Sequence, residues 1–211
     1  MRVTSPDIIK ARNKDKPEGK ISYEEFLDWL DEDTLAEWVD GEIIMATPAS
    51  IKHQDIAKFL LRLLDQYVEL NDLGKVIIAP FQMKLVSGRE PDIMFVSNEH
   101  LDRIEETYLD GPADMVVEIV SPESMMRDRG EKYFEYESGG VSEYWLIDPI
   151  REQAEFYRLG DDKHYHTILP DKDDIYHSEI IKGFWLNVSW LWRDTLPSVI
   201  EVWKELNIGN L

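Results

Sequence analysis

Residues 115–148 read MVVEIVSPESMMRDRGEKYFEYESGGVSEYWLID. The stretch opens on an apolar run, Met115 to Val120, which Ser121-Pro122 ends, because proline supplies no backbone donor and disfavours helix in the residue before it. Ser124 offers an N-cap for a helix predicted to run to about Ser138, where Gly139-Gly140 provides a left-handed exit. Glu143 to Asp148 is then a second apolar strand. Strand, helix and strand in so short a span point to the α/β class, in which helices cover a sheet whose strands are apolar on both faces.

Upstream, Ser22-Tyr23-Glu24-Glu25 has the form of a capping box, and Tyr23, Phe26, Leu27 and Leu30 recur at helical spacing. Ala36 to Val39 and Glu42 to Met45 flank Asp40-Gly41, a dipeptide that tolerates positive φ and suits a two-residue hairpin turn. From about Ser50 to Leu70, the positions Ile56, Ala57, Leu60, Leu61, Leu64, Tyr67 and Val68 mark a long amphipathic helix ending before Gly74. Extended segments are expected over Val76–Val86 and Asp92–Val96, with Ser87-Gly88-Arg89-Glu90-Pro91 breaking the structure between them. Downstream, Ala154–Leu159, Tyr165–Leu169 and Ile175–Leu186 read as strands, and a helix from Ser198 to Leu206 follows Pro197. The expected fold is a mixed central sheet flanked by helices, with additional antiparallel strands in the C-terminal half. Residues 21–211 form one domain in this reading, and residues 1–20 a flexible segment.

Hydrophobic residues make up 43% of the chain, with 7 Trp, which is ample for a core and excludes global disorder. Cysteine is absent, so any metal must be held by oxygen or imidazole. No run approaches the ~20 apolar residues that span a bilayer, and a cytoplasmic location is the expectation. The net charge of −20 opposes attraction to a polyanion. The acidic excess lies beyond residue 20, since Arg2, Lys10, Arg12, Lys14, Lys16 and Lys20 outnumber Asp7, Asp15 and Glu18 before it.

Carboxylates in apolar strands are an anomaly: either one alone reads best as a strand-end group that reaches water, and it is the two together that raise a question of chemistry. With strand alternation, Asp92 shares a face with Met94 and Val96, and Glu118 shares one with Val116 and Val120. Were the two strands neighbours, the charges would approach to about 4 Å, where repulsion at an effective dielectric near 20 is about 4 kcal/mol. A proton or a cation must relieve such a pair. Mg²⁺, or Mn²⁺ in its place, fits, because it takes oxygen ligands and is held by one or two carboxylates together with substrate phosphates. Lys132 lies in the helix after the Glu118 strand, with Asp128 and Tyr136 about one turn to either side. On spacing alone an exposed Asp128–Lys132 pair at i,i+4, very common on helices, is the better reading.

Several segments in a fixed order resemble those of the Uma family of restriction-endonuclease-like proteins, a branch of the PD-(D/E)XK nuclease superfamily. They are Glu37-Trp38-Val39-Asp40-Gly41-Glu42-Ile43-Ile44-Met45, His53, Pro91-Asp92, Val117-Glu118-Ile119-Val120-Ser121-Pro122, Arg127 to Lys132 through Tyr136, and Gly140 to Pro149. The resemblance covers nearly the whole chain from Glu37 onward. It implies a divalent metal on Asp92 and Glu118, and a metal-dependent endonuclease that hydrolyses phosphodiester bonds of nucleic acid, DNA above all. It also implies supporting positions at Glu42 and His53. A homodimer is expected with it, since two centres would address two strands. The superfamily's lysine two residues after the glutamate is replaced here by Val120, and Lys132 matches the position from which related enzymes supply it. The alternative is a nuclease-fold interaction protein without turnover.

Other signals are read as structural. His164, His166 and His177 lack a placed third ligand for zinc and belong on solvent-facing strands. Trp185, Trp190 and Trp192 suit core or interface packing better than base stacking.

Overall fold

The computed structural model describes residues 16–31, 34–45 and 48–206. Most of the expected flexible segment at residues 1–20 therefore lies outside the described residues. The chain forms helices α1 (Tyr23–Trp29), α2 (Ile51–Leu70), α3 (Met125–Arg129), α4 (Glu131–Gly139) and α5 (Val199–Glu205). Its strands are β1 (Ala36–Val39), β2 (Glu42–Met45), β3 (Gly74–Ile78), β4 (Gln82–Lys84), β5 (Gly88–Arg89), β6 (Ile93–Ser97) and β7 (Tyr108–Asp110), then β8 (Met115–Ile119), β9 (Glu143–Asp148), β10 (Gln153–Leu159), β11 (Tyr165–Ile168), β12 (Ile175–His177) and β13 (Trp185–Asn187). Among the described residues no helix is long and apolar enough to cross a membrane.

The main sheet is six-stranded in the order β11-β10-β9-β8-β6-β3. It is mixed: β8 and β9 are parallel, joined across α3 and α4, and the other pairs are antiparallel. Alternation along the strands sorts their side chains between two cores. Ile93, Phe95, Met115, Val117, Ile119, Trp145 and Ile147 pack against the apolar stripe of α2, with Trp190 buried beside them. Met94, Val96, Val116, Val120, Tyr144 and Leu146 face the other way, toward Tyr136 of α4. Ser50 caps α2 by accepting the His53 N–H at 3.2 Å, which anchors the first turn and fixes where His53 projects.

A second sheet, β2-β1-β5-β4-β7, carries α1 on a small core of Tyr23, Phe26, Ala36 and Ile43. Sequence reading did not separate it from the main sheet. The stretch from Val76 to Val86 is not one extended segment, because the chain leaves β3 at Ala79-Pro80, where the ladder lacks a donor, and joins the second sheet as β4. The single helix expected from Ser124 to Ser138 is also broken. Gly130, the poorest helix former after proline, lies between α3 and α4 at φ −118° and ψ −91°. Ile175–Leu186 likewise divides into the antiparallel pair β12 and β13, with Gly183 at φ +86° in the connection.

Gly74 sits at φ +150°, and a Cβ there would lie 2.1 Å from the Val96 carbonyl oxygen on β6. Gly74→Ala is expected to destabilise the protein by about 2 kcal/mol through strain and overpacking, which lowers Tm by roughly 4–8 °C in a domain of this size. Thermal unfolding followed by circular dichroism measures it, and an unchanged Tm would contradict the close approach of the start of β3 to β6.

Candidate active site

The register between β6 and β8 pairs Ile93 with Val117 and Met94 with Val116. One step further along that register, Asp92 stands opposite Glu118, and opposed residues in antiparallel strands hold their Cβ atoms roughly 4.5–5.5 Å apart. Asp92 itself lies just before β6 rather than in it. Freed from the ladder, its Oδ2 accepts the Ile119 N–H at 2.7 Å and lies 3.4 Å from His53 Nε2 on α2. Burial opposes protonation of His53, but Asp92 outweighs it and raises the imidazole pKa above its ordinary value.

Glu118 is buried. Its Oε1 accepts from Lys132 Nζ at 2.8 Å and from the Tyr136 hydroxyl at 2.7 Å. Burial pushes the Glu118 carboxyl up to about 8; Lys132 opposes the shift, and Asp128, Asp92 and Glu37 add to it. Lys132 is buried as well, not part of an exposed helix pair. Its ammonium lies 2.9 Å from Glu37 Oε1 and 3.6 Å from Asp128 Oδ1 in addition to Glu118. Burial disfavours that charge, but Glu118, Glu37 and Asp128 outweigh it and hold Lys132 protonated. Asp128 accepts from the Ser124 hydroxyl through Oδ2, while its buried Oδ1 has no hydrogen bond among the described residues.

Glu37 was not singled out from sequence. It comes from β1 of the second sheet, and burial raises its pKa less than Lys132 and Arg89 lower it, leaving it ionised. The buried Arg89 of β5 holds it in place, with Nη1 3.3 Å from Glu37 Oε2 and Nη2 2.7 Å from Glu135 Oε2 on α4. Glu42, expected in a supporting position, is exposed on β2 opposite Val39 and does not line the cleft. A carboxylate inside the short apolar run Ala36 to Val39 is the same anomaly that marked Glu118. Arg89 was hidden inside a segment whose Gly and Pro read as a break.

Glu37, His53, Glu90, Asp92, Glu118, Ser124, Arg127 and Lys132 line a cleft of about 580 Å³ between the two sheets and the start of α2. Its carboxylates outnumber its ammonium and guanidinium groups. Among the described residues no three carboxylate or imidazole groups converge to hold a metal unaided. Asp92 Oδ1 and Glu118 Oε2 receive no protein hydrogen bond among the described residues, since Oδ2 and Oε1 take those contacts. Each carboxylate is thus anchored by one oxygen and spare at the other. The residues present fit a divalent ion bound by oxygen.

The histidines at 164, 166 and 177 are exposed. His164 lies near Glu137 and His166 near Asp162. Trp190 is buried in the main core, with Trp185 and Trp192 packed against it, so these rings serve packing.

Comparison with known proteins bears on family and fold. Residues 23–189 match the model of the family Uma2, described as "Putative restriction endonuclease". An uncharacterized protein of Synechocystis sp. is 26% identical over 157 residues, covering 72% of this chain and 81% of that protein. A solved structure from Anabaena variabilis, described as "a putative nuclease belonging to DUF820", superimposes with a TM-score of 0.68 at 20% identity, covering 82% of this chain and 97% of that one. The mixed α/β architecture is shared with it.

Proposed function

We propose, on the premise that the chain belongs to the Uma2 family of restriction-endonuclease-type proteins, that it is a metal-dependent endonuclease hydrolysing DNA phosphodiester bonds at Asp92, Glu118 and Lys132. The observation that carries this reading is the opposition of Asp92 and Glu118 across one antiparallel register, each with an oxygen that no described residue hydrogen-bonds, beside a buried ammonium.

Mg²⁺ or Mn²⁺ bound by Asp92 and Glu118 would supply Lewis-acid polarisation of a phosphoryl oxygen and activation of water. The remaining work falls to the chain. The Ile119 N–H and His53 hold Asp92 in one orientation, and Tyr136 with Lys132 does the same for Glu118. Such fixed groups need no reorganisation as charge develops. Lys132 takes the role that Val120 cannot, offsetting charge on the phosphoryl group in flight. Its approach from α4 supports the reading that the lysine has migrated from the strand to the helix. Asp128 and Glu37 keep that ammonium charged and fixed in the buried site.

In a homodimer two such centres would address the two strands of a duplex, and sedimentation velocity on the full chain tests that part. A nuclease-fold interaction protein without turnover is favoured by one observation, the charge of −20, which repels DNA at long range. Supercoiled-plasmid nicking in Mg²⁺, Mn²⁺ and EDTA separates the two readings. Cutting is expected with either metal, absent in EDTA, and lost in Asp92→Ala. Cutting that survives EDTA, or an Asp92→Ala variant as active as the wild type, would sink the endonuclease reading.

A further inference from the structure

The cleft's basic side chains differ in one respect. Lys132 is committed to Glu37, Glu118 and Asp128. Arg89, behind the cleft, is committed to Glu37, Glu131 and Glu135, and Arg129, on the same helix as Arg127, to Asp148 and Glu155. Arg127 lines the cleft, yet among the described residues its side chain has neither an ion pair nor a hydrogen bond, and its Nε is buried without a partner. Guanidinium carries five donors and stays charged at any physiological pH. Buried donors left unmade are uncommon in folded proteins and call for an explanation.

The surroundings make the omission more pointed. The chain carries −20, and Glu37 lies close enough for Arg127 to lower its carboxyl pKa. Even so, Glu37 spends its short contacts on Lys132 and Arg89. Arg127 stands on the short helix α3, one residue before Asp128 and five before Lys132. It therefore reaches the cleft from the same wall as Lys132 while remaining unspent. The ligand that such a group matches is a planar or tetrahedral oxyanion, and guanidinium binds phosphate through two parallel N–H···O bonds.

We propose that Arg127 is a substrate-binding residue that grips a non-bridging oxygen pair of the nucleic-acid backbone in the cleft. The inference rests on the endonuclease reading above and adds the group that holds the polyanion against an otherwise acidic surface. It gives that surface a local point of attachment, so the overall charge of −20 opposes distant encounter without preventing docking.

The test uses fluorescence anisotropy of a labelled DNA duplex over a NaCl series, with the full chain in an Asp92→Asn background, which keeps an oxygen for the Ile119 N–H and slows cutting. Arg127→Gln is expected to weaken binding about 10-fold or more and to reduce the magnitude of the slope of log K against log salt by about 0.9, the contribution of one phosphate contact on duplex DNA. Arg127→Lys should recover the slope and only part of the affinity, because it keeps the charge and loses the fork. The Tm of Arg127→Gln should fall far less than that of Lys132→Ala, since among the described residues no hydrogen bond or short ion pair is removed and only the longer-range attraction to Glu37 is lost. Equal affinity and equal slope for Arg127 and Gln would overturn the inference while leaving metal-dependent nicking by the wild type intact. Absence of both nicking and duplex binding in the wild type would overturn the endonuclease reading and this inference together.

Discussion

Lys132→Ala is expected to remove most of the protein's cutting activity and a large share of its stability together. The ammonium is buried and lies within 4 Å of carboxylate oxygens on Glu118, Glu37 and Asp128. Removing one partner of a buried ion network costs about 3–5 kcal/mol, because charges taken out of water are left uncompensated. In a domain of this size that is a fall in Tm of roughly 6–20 °C, visible by scanning calorimetry. The loss of turnover is separate: one fixed electrostatic stabiliser is worth about 10²–10³ in rate. A Lys132→Met, Glu37→Gln double variant distinguishes the two effects. It removes one of the stranded carboxylates, so part of the lost Tm should return while nicking stays down. Full nicking by Lys132→Ala at a temperature where it is folded would remove Lys132 from the chemistry.

Glu118→Gln is expected to separate function from stability in the opposite sense. Glu118 is buried among Asp128, Asp92 and Glu37, and Lys132 is shared with two of them. The isosteric amide keeps an acceptor oxygen for Lys132 and Tyr136 and stands in for a carboxyl that burial already holds largely protonated at neutral pH. Stability at neutral pH should therefore hold, as is common when a functional group is replaced without disturbing its packing. Metal-supported cutting should fall by roughly 10³ or more, since the divalent ion contributes several kcal/mol to the transition state. The paired readouts are Tm and plasmid nicking. A Tm drop of the size expected for Lys132→Ala would show that Glu118 serves mainly to anchor the core.

The fold was legible where the signal was local. Ser22 and Glu25 do form the capping box, Asp40 and Gly41 do turn the hairpin at positive φ, and α2 follows its apolar stripe. What escaped reading depends on tertiary partners. Whether β4 belongs to the sheet of β3 or to another is decided by which strand offers free backbone groups, and residues 76–86 carry no local mark of that choice. The break at Gly130 was visible as a glycine, but its effect depends on how α3 and α4 separately dock.

The candidate site was legible in part through misplaced charge. Carboxylates in apolar strands drew notice to Asp92 and Glu118, the family resemblance favoured them, and the β6–β8 register puts them opposite one another, a pairing the sequence left open. Glu37 carried the same signal in a shorter strand and was passed over for Glu42, which the fold leaves in solvent. Arg127 could not have been distinguished from Arg129 by spacing. Among the described residues only the ion pairs separate them: Arg129 reaches Asp148 and Glu155, and Arg127 has none.

The divalent ion at Asp92 and Glu118 is tested most directly by calorimetric titration of Mn²⁺ into the wild-type chain, Asp92→Asn and Glu118→Gln. Saturable binding is expected in the wild type and should be weakened at least about 10-fold in each variant, because each loses a charged oxygen ligand. No binding by the wild type, or equal binding by all three proteins, would contradict a metal centre built on these two carboxylates.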